Sequence, residues 1–106
     1  MTDFEIGTGN VYDDLEMDNA QEMQVKASLA IKIGDIIKHR HLTQQQAAEL
    51  LDMPQPKVSA MLRGQFRGIS EAKMIACLNA LGRNVQIVVK KAPRSKPTGF
   101  TTVVFA

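Results

Sequence analysis

At 106 residues the chain is long enough for one modest helical core and too short for a two-domain enzyme. Aromatic residues make up only 5%, so that core must rest on Leu, Ile, Val, Met and Ala. The net charge of +2 conceals an asymmetry. Residues 1–25 hold seven acids and no Lys or Arg, which leaves 13 basic against 4 acidic residues, a net of +9, in the remainder. The single cysteine, Cys77, excludes an internal disulfide and suits a reduced cytoplasmic setting. No run approaches the ~18 apolar residues of a membrane span, and the acidic start is the reverse of a secretory leader.

Residues 1–17 contain Gly7, Gly9 and Asn10 among scattered apolar residues without a period. They read as an acidic N-terminal arm, partly ordered around Val11, Tyr12 and Leu15. Asp18 with Gln21 makes a capping box and opens a predicted helix to about Arg40. Its core face is Val25, Leu29, Ile33, Ile36 and Ile37, and the cations of His39–His41 suit the negative helix end. His39 and His41 have no Cys or carboxylate cluster beside them, so neither a metal nor any other cofactor is expected.

The next stretch, Leu42 to Gly64 (LTQQQAAELLDMPQPKVSAMLRG), reads as two short helices joined by a tight turn. Thr43 caps the first, with Gln46 completing a capping box, and Ala47, Leu50 and Leu51 form its apolar stripe. Ala48 is small where two steeply crossed helices would touch. Asp52 stands at the turn, a position that calls for a left-handed backbone. Pro54 and Pro56 fall in the cap or first turn of the second helix, where a missing N–H costs little. Val58, Met61 and Leu62 face inward, and Arg63-Gly64 closes the helix. Any helical hairpin shows caps and polar outer faces. The second helix here, however, presents Gln55, Lys57, Ser59 and Arg63 outward, and it has little reason to be so polar unless something reads it. Such a helix fits a DNA major groove.

In the loop GQFRGIS, Phe66 is the expected anchor and Arg67 is exposed. Ser70 caps a helix from Glu71 to Leu81 that stops at Gly82, with Met74, Ile75, Cys77, Leu78 and Leu81 on its apolar face. The pattern then changes period: Asn84 to Lys90 (NVQIVVK) is β-branched and reads as a strand. Three partners are open to it: the N-terminal arm, the tail Thr101–Phe105, or another chain. Residues 92–106 are a basic Pro- and Gly-containing linker followed by an apolar tail, FTTVVFA, that is a second strand, a contact segment or a frayed end. The organisation is therefore an arm (1–17), a helix-turn-helix body with a terminal strand (18–91, strand 84–90), and a linker and tail (92–106).

LTQQQAAELLDMPQPKVSAMLRG resembles the Xre/Cro-type helix-turn-helix. The order GNVYDDL, TQQQAA, QPKVSAMLRG and LNALGRNVQIVV is similar, more narrowly, to the HigA-type antitoxin branch. The resemblance covers about residues 9–91 and departs from the wider pattern at Asp52, commonly Gly, and at Pro54, where Ser, Thr or Asp is usual. It implies an all-α five-helix bundle with a short C-terminal strand, and homodimers that repress from palindromic operators. Many members also neutralise an adjacent RNase toxin, whereas others are stand-alone phage or plasmid repressors.

The chemistry expected of the outward residues is specific. Gln55 can pair bidentately with adenine N6/N7, and Lys57 can reach guanine O6/N7 or a phosphate. Ser59 is short enough for either a base edge or the backbone. Thr43 and Gln44 lie at a helix N-terminus that favours a phosphate, while Arg63 and Arg67 are expected to clamp phosphates. A second class of function is protein interaction, the acidic arm covering the cationic face of a small RNase. Paired carboxylates, a Ser/His/Asp set and a Gly-rich phosphate loop are all missing from the sequence, so an enzyme is not expected.

Overall fold

The structure is a computed structural model that describes the backbone of residues 9–106 and the side chains of residues 19–106. The first eight residues of the acidic arm lie outside it, as do any contacts of Val11, Tyr12 and Leu15. Four helices follow in order: α1 (Gly9–His39), α2 (Gln44–Leu51), α3 (Gln55–Leu62) and α4 (Glu71–Ala80). The all-α expectation holds, but the five-helix count does not: the described residues form four helices. α1 begins at Gly9 rather than after Asp18, so Asp18 lies inside a helix and does not cap its start. From Gly9 to His39 there is no proline to interrupt the helix, and beyond α4 the β-branched run and Pro93 and Pro97 disfavour another one.

Each helix ends in the same way. His41, Asp52, Gly64 and Gly82 adopt left-handed backbone (φ 56°, 54°, 90° and 88°). The next residue's N–H then reaches back five positions: Leu42 to the Ile37 carbonyl (3.0 Å), Met53 to Ala48 (3.1 Å), Gln65 to Ala60 (2.8 Å) and Arg83 to Leu78 (2.9 Å). These bonds satisfy carbonyls left without partners at the helix ends and turn the chain sharply. Asp52 behaves as expected from its place in the turn, and His41 adopts the same conformation without a turn signal in the sequence.

The predicted core face of α1 is buried throughout, and Ala47, Leu51, Val58, Met61, Met74, Cys77, Leu78 and Leu81 join it in one cluster. Leu50 is the exception in α2. It is exposed, because Ala47, Ala48 and Leu51 already fill the narrow face that eight residues can turn inward. α1 packs on α4 and α3, and α2 packs on α3 and α4, so α4 lies chiefly on α1. α1 and α3 approach closely where a Cβ on Gly34 would stand 3.3 Å from Leu62 Cδ2.

The C-terminal strand does not form. Residues 83–91 are exposed and without regular secondary structure, and among the described residues no neighbouring strand pairs with them. An extended run becomes a strand only when its N–H and C=O groups find a partner. The chain turns back at Pro93–Lys96, and Val103 in the tail packs against the core.

Candidate nucleic-acid interface

α2 and α3 carry the sequence-predicted contact residues, and their starts are fixed by local chemistry. Thr43 Oγ1 accepts from the Gln46 N–H (3.1 Å) and Gln46 Oε1 accepts from the Thr43 N–H (2.9 Å), a complete capping box. α3 starts without a side-chain cap: Pro54 is its N-cap and Pro56 stands in its first turn. The proline ring sets φ in advance and removes an N–H that would have lacked a partner, so the first turn of α3 is both rigid and open.

Across that opening the two helix starts are joined. Gln55 Nε2 donates to Gln44 Oε1 at 3.2 Å, and both side chains are exposed. Lys57 is exposed within the first turn of α3, while Ser59 is half-buried. The Arg63 guanidinium donates to the Ser59 hydroxyl and, at 3.5 Å, to Gln65 Oε1. Ser59 and Arg63 therefore form one unit at the far end of the helix. Arg67 lies in the loop after α3 with its side chain in solvent. Thr43, Gln44 and Gln55 thus meet at one end, Ser59 and Arg63 pair at the other, and Arg67 stands apart on its loop.

Two lysines not anticipated from the sequence, together with Arg40, expected only as a cation at the end of α1, hold these parts in place. Lys26 of α1 is buried; its Nζ lies 3.1 Å from Glu22 and donates to the Arg67 carbonyl at 3.2 Å, tying the loop to α1. Lys73 Nζ of α4 donates to the Leu51 carbonyl at 3.1 Å and so stabilises the end of α2. Arg40 donates to the Leu81 carbonyl at 3.2 Å, linking the ends of α1 and α4. Lys26 had a sequence signal: it falls three residues before Leu29 and seven before Ile33, on the core stripe. Beneath α2, the Cys77 thiol sits 3.7 Å from Met53 Sδ. Burial pushes its pKa up, partly offset by the charge of Lys73.

A helix-turn-helix domain model matches residues 11–90, which is most of the chain. A solved structure named "Putative XRE Family Transcriptional Regulator" is 39% identical, covering 83% of this chain and 99% of that one, with a TM-score of 0.77. The chain belongs to the XRE-type helix-turn-helix family. No curated protein matches it. In this XRE-type protein, α2, the Asp52 turn and α3 are the helix-turn-helix unit, with α1 and α4 as its support. Among the described residues no helix is long and apolar enough to cross a membrane.

Proposed function

We propose that this protein is a sequence-specific DNA-binding transcriptional repressor that acts as a homodimer on a palindromic operator. The observation that carries the reading is the exposed start of α3, where Gln44 holds the Gln55 amide in one orientation. A primary amide has two N–H donors and a carbonyl oxygen. Gln44 uses one N–H, which leaves the second N–H and the oxygen for adenine N7 and N6. Lys57 supplies a base-edge or phosphate contact beside it. The N–H groups at the start of α2, near Thr43 and Gln44, and the guanidinium groups of Arg63 and Arg67 fix register on the phosphates. Two copies of α3 about one DNA turn apart would read a two-fold-related sequence.

A fluorescence-anisotropy titration against the protein's own promoter and a scrambled fragment, at two salt concentrations, tests this. Preference of ~10³-fold or more with steep salt dependence is the expected result. Equal weak binding to both would overturn it.

The finer reading is an antitoxin that represses its own toxin–antitoxin operon. Its support is the sequence resemblance together with an N-terminal stretch holding seven acids and no Lys or Arg through residue 25. That charge complements the cationic RNA-binding face of a small RNase. Deleting residues 1–17 should abolish neutralisation of the neighbouring toxin and leave operator binding intact. Unchanged neutralisation would reduce the protein to a stand-alone repressor, or shift the toxin contact to another surface.

A further inference from the structure

Seen down its axis, α3 divides into three strips. Val58 and Met61 are fully buried, and Leu62 packs against the core beside Gly34. At ~100° per residue these three set the inward direction, and Pro56 and Ala60 lie within roughly 30° of the opposite one. Gln55 and Lys57 stand about 85° or more away from it, one on either side. Pro56 is exposed and Ala60 is half-buried. Arg63, the remaining residue near the outward direction, turns its guanidinium aside to the Ser59 hydroxyl and to Gln65. The middle of the outward face is therefore apolar. It consists of a proline ring and a methyl group one turn apart, with amide, ammonium and hydroxyl groups around them.

We propose that Pro56 and Ala60 are specificity-determining residues that read the C5-methyl groups of thymines in the major groove. The inference rests on the operator-binding reading above and adds a base feature that the polar contacts do not select. Three considerations fit the strip to a methyl group. The first is what it lacks. Pro56 has no N–H, and the Ala60 N–H is taken up within the helix, so neither a phosphate nor a polar base edge finds a partner there. A cytosine amino group pressed against the strip would be buried without an acceptor. The second is what it offers. The thymine C5-methyl is the apolar group on the major-groove edge, and an alanine methyl packs on it. Neither proline nor alanine loses side-chain rotamer freedom on burial, so the whole contact counts toward binding. The third is spacing. Residues four apart on one helix face stand about 6 Å from one another, against ~3.4 Å per base pair, so the strip spans roughly two steps of DNA. Beside it, the adenine assigned to Gln55 brings a thymine methyl into the same groove.

The test is a thymidine-to-deoxyuridine scan of the promoter half-site, read by fluorescence anisotropy with the full chain. Deoxyuridine removes the methyl group and keeps every hydrogen-bonding atom of the base. At least one position should weaken binding roughly four-fold, the worth of one buried carbon group. Ala60→Gly or Pro56→Ser should remove that penalty, whereas Lys57→Ala should weaken binding and leave the penalty in place. The ratio of the two affinities is measured on one protein, so any loss of helix stability in a variant cancels from it. Promoter preference with no position sensitive to deoxyuridine would overturn the inference and leave the repressor standing. A penalty that survives in both variants would do the same, because another group then holds the methyl. Equal weak binding to promoter and scrambled DNA would overturn the repressor and this inference together.

Discussion

The contact between Gln44 and Gln55 makes a quantitative prediction about how the two residues share one task. On binding DNA, a free Gln55 side chain would lose up to ~2 kcal/mol of rotamer freedom. Its 3.2 Å bond to Gln44 removes part of that cost before DNA arrives. An exposed neutral hydrogen bond contributes about 0.5–1 kcal/mol, so Gln44→Ala should weaken operator binding roughly two- to five-fold. Gln55→Ala removes the base contact itself and should cost ~1–3 kcal/mol, with loss of discrimination at the adenine. In the Gln55→Ala background there is no amide left to orient, and Gln44→Ala should then have little further effect. The coupling in a double-mutant cycle should therefore be about 0.5–1 kcal/mol. The assay is anisotropy with operator duplexes at fixed salt, repeated with the adenine replaced. Additive losses would refute the reasoning, because a Gln44 that acts only on a phosphate costs the same in both backgrounds.

Further outcomes follow from the same contacts. Arg67→Ala should weaken binding to all sequences alike and reduce the slope of log K against log salt by about 1; an unchanged slope would remove Arg67 from the phosphate contacts. Lys26→Met should reproduce part of that loss of slope by releasing the loop carbonyl it holds, and a Lys26→Met/Arg67→Ala double variant should show no further drop. Asp52→Gly and His41→Gly should each raise stability by about 0.5–1 kcal/mol, since L-residues meet a steric cost at φ 54° and 56° that glycine avoids. Urea midpoints read this directly, and a fall at both sites would contradict it. The buried Cys77 thiol has a folded pKa above its unfolded one. Its contribution to stability is full below the unfolded thiol pKa of about 8.5 and is lost as pH rises through the folded value. Cys77→Ala should flatten the decline in stability seen above that pH.

Much of this architecture was legible because helix ends are written in short-range chemistry. Thr43 with Gln46, Ser70, the two glycines and Asp52 each satisfy or release backbone groups within three to five residues, a range that a single sequence displays. His41 closes α1 by the same geometry; histidine is among the non-glycine residues enriched in the left-handed region, but that enrichment is too weak to mark a helix end in a single sequence. Leu50 shows the limit of periodicity: on a helix of eight residues, one apolar side chain more or less does not define the face. The strand expectation at 84–90 rests on β-branched composition and on the resemblance, and pairing is a property of two segments rather than one. The contact between Gln44 and Gln55 lay furthest from reach. It spans eleven residues and depends on the angle between two helices.

Charge shows most plainly how the fold reassigns what composition suggests. Residues 26–106 carry all 13 lysines and arginines of the chain, an excess of +9 that reads as a surface for phosphates. The fold turns Lys26, Arg40 and Lys73 toward backbone carbonyls at the ends of helices and loops. Their charge is held against oxygen atoms within the molecule. It acts on nucleic acid by fixing where α2, α3 and the Arg67 loop stand. The tail segment after Gly82 holds five more, Arg83, Lys90, Lys91, Arg94 and Lys96, away from the helix-turn-helix unit in sequence and exposed. What remains at the unit itself is Lys57, Arg63 and Arg67, and Arg63 is already engaged by Ser59 and Gln65. A salt slope near −3 per copy, at about 0.9 per phosphate contact, would mean that these three alone meet the backbone. A slope near −7, from about 0.9 for each of eight contacts, would bring the tail cations onto DNA as well.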